Sequence, residues 1–338
     1  MHRPVLLKEV IEFLDPKTDE NFIDATFGDG GHALEILKRT APNGKVLGID
    51  LDQKAIEKFI PRAIEGFDGR GLDTRSIFIY ASEPPTATAE TSRQSRSGVE
   101  PLPTTEGKRL FLIQGNFAQI GEIARSTHFD NVDGVLFDLG FRTGQLEGEE
   151  KGERGGRGFS FQKDEPLDMR YDSTAVKTAE EIINSYSERD LERIFTEYGE
   201  EGNSRRIARA ITDVRHKNRI RTTGELVEVI DRTVRHDVKI LARIFQALRI
   251  EVNSELENIE SGLKDAWDIV GAEGRIAVIS FHSLEDRIVK NFFVDKKQAG
   301  IAEILTKKPV TASEDEIRDN SKSRSAKMRV IRKLGVRH

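Results

Sequence analysis

Three places in this sequence combine residue types and spacings that can do chemistry. The first is Gly28-Asp29-Gly30-Gly31, which follows the short apolar run Phe22-Ile23-Asp24-Ala25-Thr26 and precedes the helical stretch Ala33–Lys38. Glycines at such a turn let the backbone approach a ligand closely, and the helix behind them offers free N–H groups. Asp50 closes a second strand-like run, Lys45–Asp50, where a carboxylate can accept hydrogen bonds from both ribose hydroxyls of an adenosine. Two cofactor classes fit this constellation. Gly28-x-Gly30-x-x-Ala33, with Asp50 about 20 residues on, matches the relaxed dinucleotide pattern. The same residues suit an adenosylmethionine loop, in which an acid, here Asp24, closes the first strand. His32 directly after the glycines, and Asp24 where it would repel a pyrophosphate, favour the second class. A plain strand–turn–helix with glycines for packing competes with both.

The second place is Asp138-Leu139-Gly140-Phe141, at the end of the apolar run Val132–Leu139. Asp138 stands at the carboxyl end of a strand, where doubly wound sheets present their ligands. It reads as a catalytic candidate touching a cofactor or an amine; a strand-end carboxylate capping a turn is the plainer alternative. Phe141 offers a stacking face for a base, although core packing is commoner for a single Phe, and the same holds for Phe159 and Phe161. The third place is scattered. Arg170 in Asp168-Met169-Arg170 can grip phosphate or pair with Asp168. His282 can act as base or phosphate contact, but Ser283-Leu284-Glu285-Asp286 beside it also reads as a helix N-cap with an acidic first turn. No His and Asp grouping has metal-ligand spacing, so no metal is expected.

These residues need a frame. Strand and helix signals alternate from Phe22 to Asp138 and return at Ile276–Phe281, the signature of a parallel α/β sheet. Leu110–Gln114 reads as the third strand, with Ser76–Tyr80 pairing to it as a hairpin. Ala179–Val234 is helical and rich in Arg, Leu241–Asp268 reads as one further helix, and Ile304–Val310 and Met328–Leu334 as closing strands. The expected architecture is a doubly wound sheet over 1–165 and 240–338, interrupted by a helical domain over 166–239. Within about 70–108 lies Ala81–Thr105, with four prolines and few apolar residues, which reads as a mobile insertion.

Composition excludes whole classes. The cysteine count is zero, which removes disulfides, thiolate metal sites and every cysteine nucleophile. No apolar run approaches a membrane span. Lys8, Glu9 and Glu12 interrupt the first fourteen residues, unlike a secretory signal, so a cytosolic chain is expected. The net charge of −5 argues against nucleic acid only until the charges are placed. Asn203–Arg221 carries seven cations against Asp213, and Ser321–His338 carries seven cations and no acid. Two such runs in an acidic chain read as phosphate-contacting patches rather than solvated faces.

Longer blocks then fall into order. His2-x-Pro4-Val5-Leu6-Leu7, Asp24-Ala25-Thr26-Phe27-Gly28-x-Gly30-Gly31-His32, Gly115-Asn116-Phe117 and Asp138-Leu139-Gly140 come first. Arg157-Gly158-Phe159-Ser160-Phe161, Pro166–Arg170, Phe245–Leu256, Ile279–Arg287 and Ser323–Arg329 follow. Together they resemble the bacterial small-subunit ribosomal RNA cytosine-N4 methyltransferase family, also called MraW, over all but about Gly66–Lys108. The resemblance implies an S-adenosyl-L-methionine-dependent enzyme with a Rossmann-like sheet, acting on one cytidine in the decoding region of 16S rRNA, within the small ribosomal subunit. It also implies cofactor contacts at Gly30, Gly31, His32, Asp50, Phe117, Asp138 and Gln145. The family's Val-Ser-Ser-Pro-Gln after Asp-Leu-Gly is replaced here by Phe141-Arg142-Thr143-Gly144-Gln145. An NAD-linked oxidoreductase lacks an identifiable hydride-transfer acid and leaves the basic runs unexplained. A non-catalytic RNA-binding assembly factor would tolerate damage to Asp50 and the glycines, which are intact.

Overall fold

The computed structural model describes residues 4–53, 55–59, 77–80, 107–140, 156–172 and 175–335. Among the described residues eight strands form one sheet: β1 (Asn21–Asp24), β2 (Val46–Asp50), β3 (Ile77–Tyr80), β4 (Leu110–Gln114), β5 (Val132–Asp138), β6 (Val270–Ser280), β7 (Ala302–Ile304) and β8 (Lys327–Lys333). Their order is β3-β4-β2-β1-β5-β6-β8-β7. The first six are mutually parallel, and β8 lies antiparallel between β6 and β7. β2 is buried along its whole length, which is why its sequence reads as a continuous apolar run rather than an alternating one. The strand order reverses at β1, flanked by β2 and β5. The carboxyl ends of β1 and β5 therefore flank the crevice where doubly wound sheets bind ligands.

Helices α1 (Leu7–Leu14) and α2 (Gly31–Arg39) cover one face of this sheet. Their apolar stripes, Val10, Ile11 and Leu14 with Ala33, Ile36 and Leu37, join a buried core with Phe22, Val46, Leu136, Ala277 and Val330. Residue 53 opens a further helix, and α3 (Ile120–Ser126) follows β4. The chain divides into two units, Met1–Gly140 with Asn258–His338, and Phe141–Glu257. The second holds α4 (Ala179–Ser185), α5 (Glu188–Glu197), α6 (Ser204–Arg215), α7 (Thr223–Thr233) and α8 (Val238–Asn253). Thr178 with Glu181 and Thr222 with Glu225 form capping boxes that start α4 and α7.

The structure departs from the sequence expectations at four points. β3 pairs with β4 in parallel, Ile77 opposite Leu110, so the two strands are not a hairpin; the 29 residues between them are ample for a crossover. The expected strand 304–310 is displaced to Ala302–Ile304, with only Val310 bridging Met328 beyond it. Pro309 has no N–H to donate to a ladder there. The helix expected over 241–268 is two helices, α8 and α9 (Glu255–Ile269), because Ser254 turns left-handed at φ 48°. Asn253 steadies that break, donating to the Met169 and Arg249 carbonyls and accepting the Tyr171 N–H. Finally, the unit boundaries fall at 140/141 and 257/258 rather than 165/166 and 239/240. The apolar face of α8 explains the shift: Leu241, Ile244, Phe245 and Leu248 are buried among Leu191, Ile194, Phe195 and Ile207 of the helical core.

Candidate active site

Asp24 ends β1 fully buried, and its Oδ1 accepts the Thr26 N–H. Asp50 ends β2, also buried; its Oδ2 accepts the Gly28 N–H at 2.9 Å and its Oδ1 the Asp52 N–H at 2.8 Å. One carboxylate thus sets the glycine loop and the turn after β2 together. An ionised carboxylate has about four acceptor sites, so accepting these two N–H groups does not by itself exhaust it. Gly30 adopts φ 75° as it enters α2, where a side chain would lie 2.5 Å from the Phe59 ring. A Cβ on Gly31 would lie 2.2 Å from Pro4 Cγ. These two glycines are packing requirements of the loop as well as candidate cofactor contacts. Gly30→Ala is expected to destabilise the protein by about 1–3 kcal/mol through overpacking and left-handed strain, read as a lower urea midpoint.

Asp138 ends β5, and its own N–H donates to Thr26 Oγ1 at 2.7 Å, which ties the β5 terminus to the β1 loop. Its Oδ1 is buried without a hydrogen-bond partner among the described residues. Burial, then the nearby charges of Asp24 and Glu285, push its carboxyl up to about 7. His32, in the first turn of α2, is buried with Nε2 2.9 Å from the Val5 carbonyl oxygen and Nδ1 3.9 Å from Asp138 Oδ2. Burial holds its pKa down to about 4, against the opposing pull of the Val5 hydrogen bond, so the ring is neutral at pH 7. Phe117 opens the short turn after β4, started by Asn116 Oδ1 accepting the Ala118 N–H. Its ring stands edge-on to Phe137 at 5.7 Å.

Gly30, Gly31, His32, Asp50, Phe117 and Asp138 thus all lie on segments at the carboxyl ends of β1, β2, β4 and β5. Gln145 and Phe141 lie outside the described residues, as does the expected insertion 81–105. The buried Asp24 and the partly buried Asp138 make this crevice hostile to a pyrophosphate and suited to a ligand that carries positive charge beside a ribose. Sequence reasoning missed Thr26 and Glu285. Thr26 lies within Asp24–His32, but nothing local reveals that its hydroxyl serves a backbone N–H 112 residues away.

The remaining candidates have structural partners. In the helical unit Phe159 stacks on Tyr171 at 5.6 Å and Phe161 meets Phe245 edge-on, so both pack against protein aromatics. Arg170 donates from Nε and Nη2 to the Asp168 carboxylate at 2.7 and 2.8 Å, and from Nη1 to the Ala175 carbonyl. The ion-pair reading describes this geometry. His282 is itself the N-cap of α10 (Ser283–Gln298), one residue before the expected Ser283. The Glu285 carboxylate returns the bond by accepting the Phe281 and His282 N–H groups.

The basic runs are partly spent on the fold. Arg206 and Arg215 donate to the Thr233 and Ile183 carbonyls, and Arg219 pairs with Glu180. In the C-terminal run Arg329 makes a two-pronged pair with Asp286, Arg332 pairs with Glu303, and Lys333 caps the carbonyls of Trp267 and Val270. Arg329, Arg332 and Lys333 of β8 are thus engaged within the sheet unit, which narrows the share of that run available to phosphates. Arg205, Arg209, Lys217 and Arg221 stay exposed around α6 and the loop after it.

Comparison with known proteins bears on this arrangement. The model of the MraW methylase family matches residues 1–70 and 93–334. A protein of Persephonella marina named ribosomal RNA small subunit methyltransferase H is 42% identical, over 98% of this chain and 99% of its own length. Proteins of the same name from Sulfurihydrogenibium sp. and Syntrophotalea carbinolica are 40% and 39% identical, each over 98% of this chain and at least 98% of their own. With both units and the carboxyl-end loops inside the matched residues, the chain belongs to the MraW methylase family.

Proposed function

We propose that this protein transfers the methyl group of S-adenosyl-L-methionine to the exocyclic N4 of a cytidine in the decoding region of 16S rRNA, with the small ribosomal subunit as its setting. The observation that carries the reading is the group of carboxylates at the carboxyl ends of β1, β2 and β5, Asp24 and Asp50 buried and Asp138 partly buried with one buried oxygen unengaged among the described residues. Gly30, Gly31, His32, Asp50, Phe117 and Asp138 would hold the cofactor, with Gln145 joining from outside the described residues. Bound there, S-adenosyl-L-methionine supplies the electrophilic methyl group. Cytosine N4 is a weak nucleophile because its lone pair is conjugated into the ring. Asp138 accepts a hydrogen bond from that amine as positive charge develops on it. The absence of cysteine agrees with direct attack by nitrogen, since the usual C5 route needs a thiolate. Calorimetry is expected to show binding of S-adenosyl-L-methionine and none of NAD; the reverse would return the dinucleotide reading.

The exposed cations around α6 supply the RNA contact. Arg205 and Arg209 lie one helical turn apart on the solvent face and are free of carboxylate partners among the described residues. Replacing both by Ala is expected to weaken 16S rRNA binding several-fold and to reduce the slope of log K on log salt by about 2, with the melting temperature unchanged. Filter binding across a salt series reads both effects.

A further inference from the structure

We propose that His32 is a positioning residue for the transfer step: its Nδ1 accepts a hydrogen bond from Asp138 once that carboxylate has taken the proton of the exocyclic amine. The inference rests on Asp138 as the partner of the amine, and adds how the proton is held afterwards.

The imidazole is prepared for one role. Nε2 lies 2.9 Å from the Val5 carbonyl oxygen, and a carbonyl only accepts, so Nε2 carries the hydrogen. In a neutral ring Nδ1 is then an acceptor and nothing else. That acceptor lies 3.9 Å from Asp138 Oδ2, beyond hydrogen-bond reach, as expected for two lone-pair atoms with no proton between them. Asp138 Oδ1, buried and without a partner among the described residues, remains for the amine.

The chemistry supplies the missing proton. The amine nitrogen bonds to the methyl carbon as the methyl–sulfur bond breaks, and that bond's electron pair stays on sulfur. The nitrogen, now cationic, regains its lone pair by giving one N–H proton to Asp138. A carboxyl, unlike a carboxylate, is a donor, and closing the gap to Nδ1 by about 1 Å makes the bond. The groups around Asp138 favour its holding the proton. Burial first, then the charges of Asp24 from β1 and Glu285 from α10, raise its carboxyl to about 7, whereas burial keeps His32 near 4, so the proton stops on oxygen.

Two substitutions separate this role from simple packing. His32→Gln places an amide where Nε2 sits, keeping the donor to Val5 and removing the Nδ1 acceptor; His32→Asn does the opposite. The rates are measured from pH 5.5 to 9 on full-length protein with labelled S-adenosyl-L-methionine and small ribosomal subunits lacking the modification. Wild type is expected to gain kcat as pH rises through about 7. H32Q is expected to lose about tenfold in kcat, with that rise moved down by roughly one pH unit and KM for the cofactor within threefold. H32N loses the donor to Val5 and is expected to lower kcat, but to keep the rise with pH near 7 because the acceptor at the Nδ1 position remains. An H32Q protein with wild-type kcat and profile, or with KM alone raised, overturns the proposal. Nitrogen-15 spectra of wild-type protein give a check independent of any variant: an Nδ1–H tautomer of His32 overturns it, the Nε2–H tautomer supports it. Asp138→Asn separates the layers, because transfer that survives it removes the underlying role of Asp138, whatever His32 does.

Discussion

Asp138→Asn is expected to lower methyl transfer by about 10²–10³-fold while raising thermal stability at pH 8. The two effects have one cause. The carboxylate sits where burial disfavours charge and where Asp24 and Glu285 add their own, so its pKa is about 7 in the fold against 3.8 ordinarily. A group whose pKa is raised on folding contributes its stabilisation in full below the unfolded value. That contribution erodes through the interval from 3.8 to about 7 and is gone above it. At pH 8 the wild type therefore holds an unfavourable buried charge that Asn lacks. With the side chain about a quarter exposed, the difference is on the order of 2 kcal/mol. At pH 4 the two proteins should melt together. A site that is costly to keep charged, yet needed for activity, is the pattern of a functional carboxylate. Melting curves and single-turnover rates on the same preparations check both halves; a variant that is less stable at pH 8 and fully active contradicts them.

Asp50→Ala is expected to weaken S-adenosyl-L-methionine binding by about 100-fold and to loosen the glycine loop. Its carboxylate accepts the Gly28 and Asp52 N–H groups, and charge-assisted hydrogen bonds contribute roughly 1.5–3 kcal/mol each. Removing it leaves the Gly28 donor without its carboxylate and takes away the acceptors proposed for the ribose. Asp50→Asn separates these losses: the side chain keeps an acceptor for one N–H but lowers the acceptor capacity for hydroxyls. Calorimetry is expected to rank the affinities wild type, then Asn, then Ala. Equal affinities would remove Asp50 from the site.

The framework of the site was legible because strand-end acids interrupt apolar runs. Asp24, Asp50 and Asp138 stand out against Phe22–Ile23, Val46–Ile49 and Val135–Phe137. The connections between distant elements were not. Ser254 turns left-handed although a serine carries no glycine-like signal, so α8 and α9 read as a single helix. The hairpin expected for β3 was a matter of direction, and an apolar run of four residues has no direction in its composition. In β8 the cations look free in sequence, but Arg329 and Arg332 meet Asp286 and Glu303 only once the sheet has formed. His282 and Ser283 are both plausible caps by type, and backbone geometry selects His282. The helical unit was legible as helices, yet its border was not. The apolar stripe of α8 announces burial without saying which core will bury it.

The central claim is that the carboxylates at the β1/β5 switch point serve methyl transfer to a ring amine of ribosomal RNA. The most direct measurement incubates the purified protein with labelled S-adenosyl-L-methionine and small ribosomal subunits or 16S rRNA, digests the RNA, and identifies the labelled nucleoside and its position. The expected result is N4-methylated cytidine at one position in the decoding region, lost in Asp138→Asn. Label on C5 or on a ribose oxygen, or no transfer to RNA together with tight NAD binding, would contradict the account.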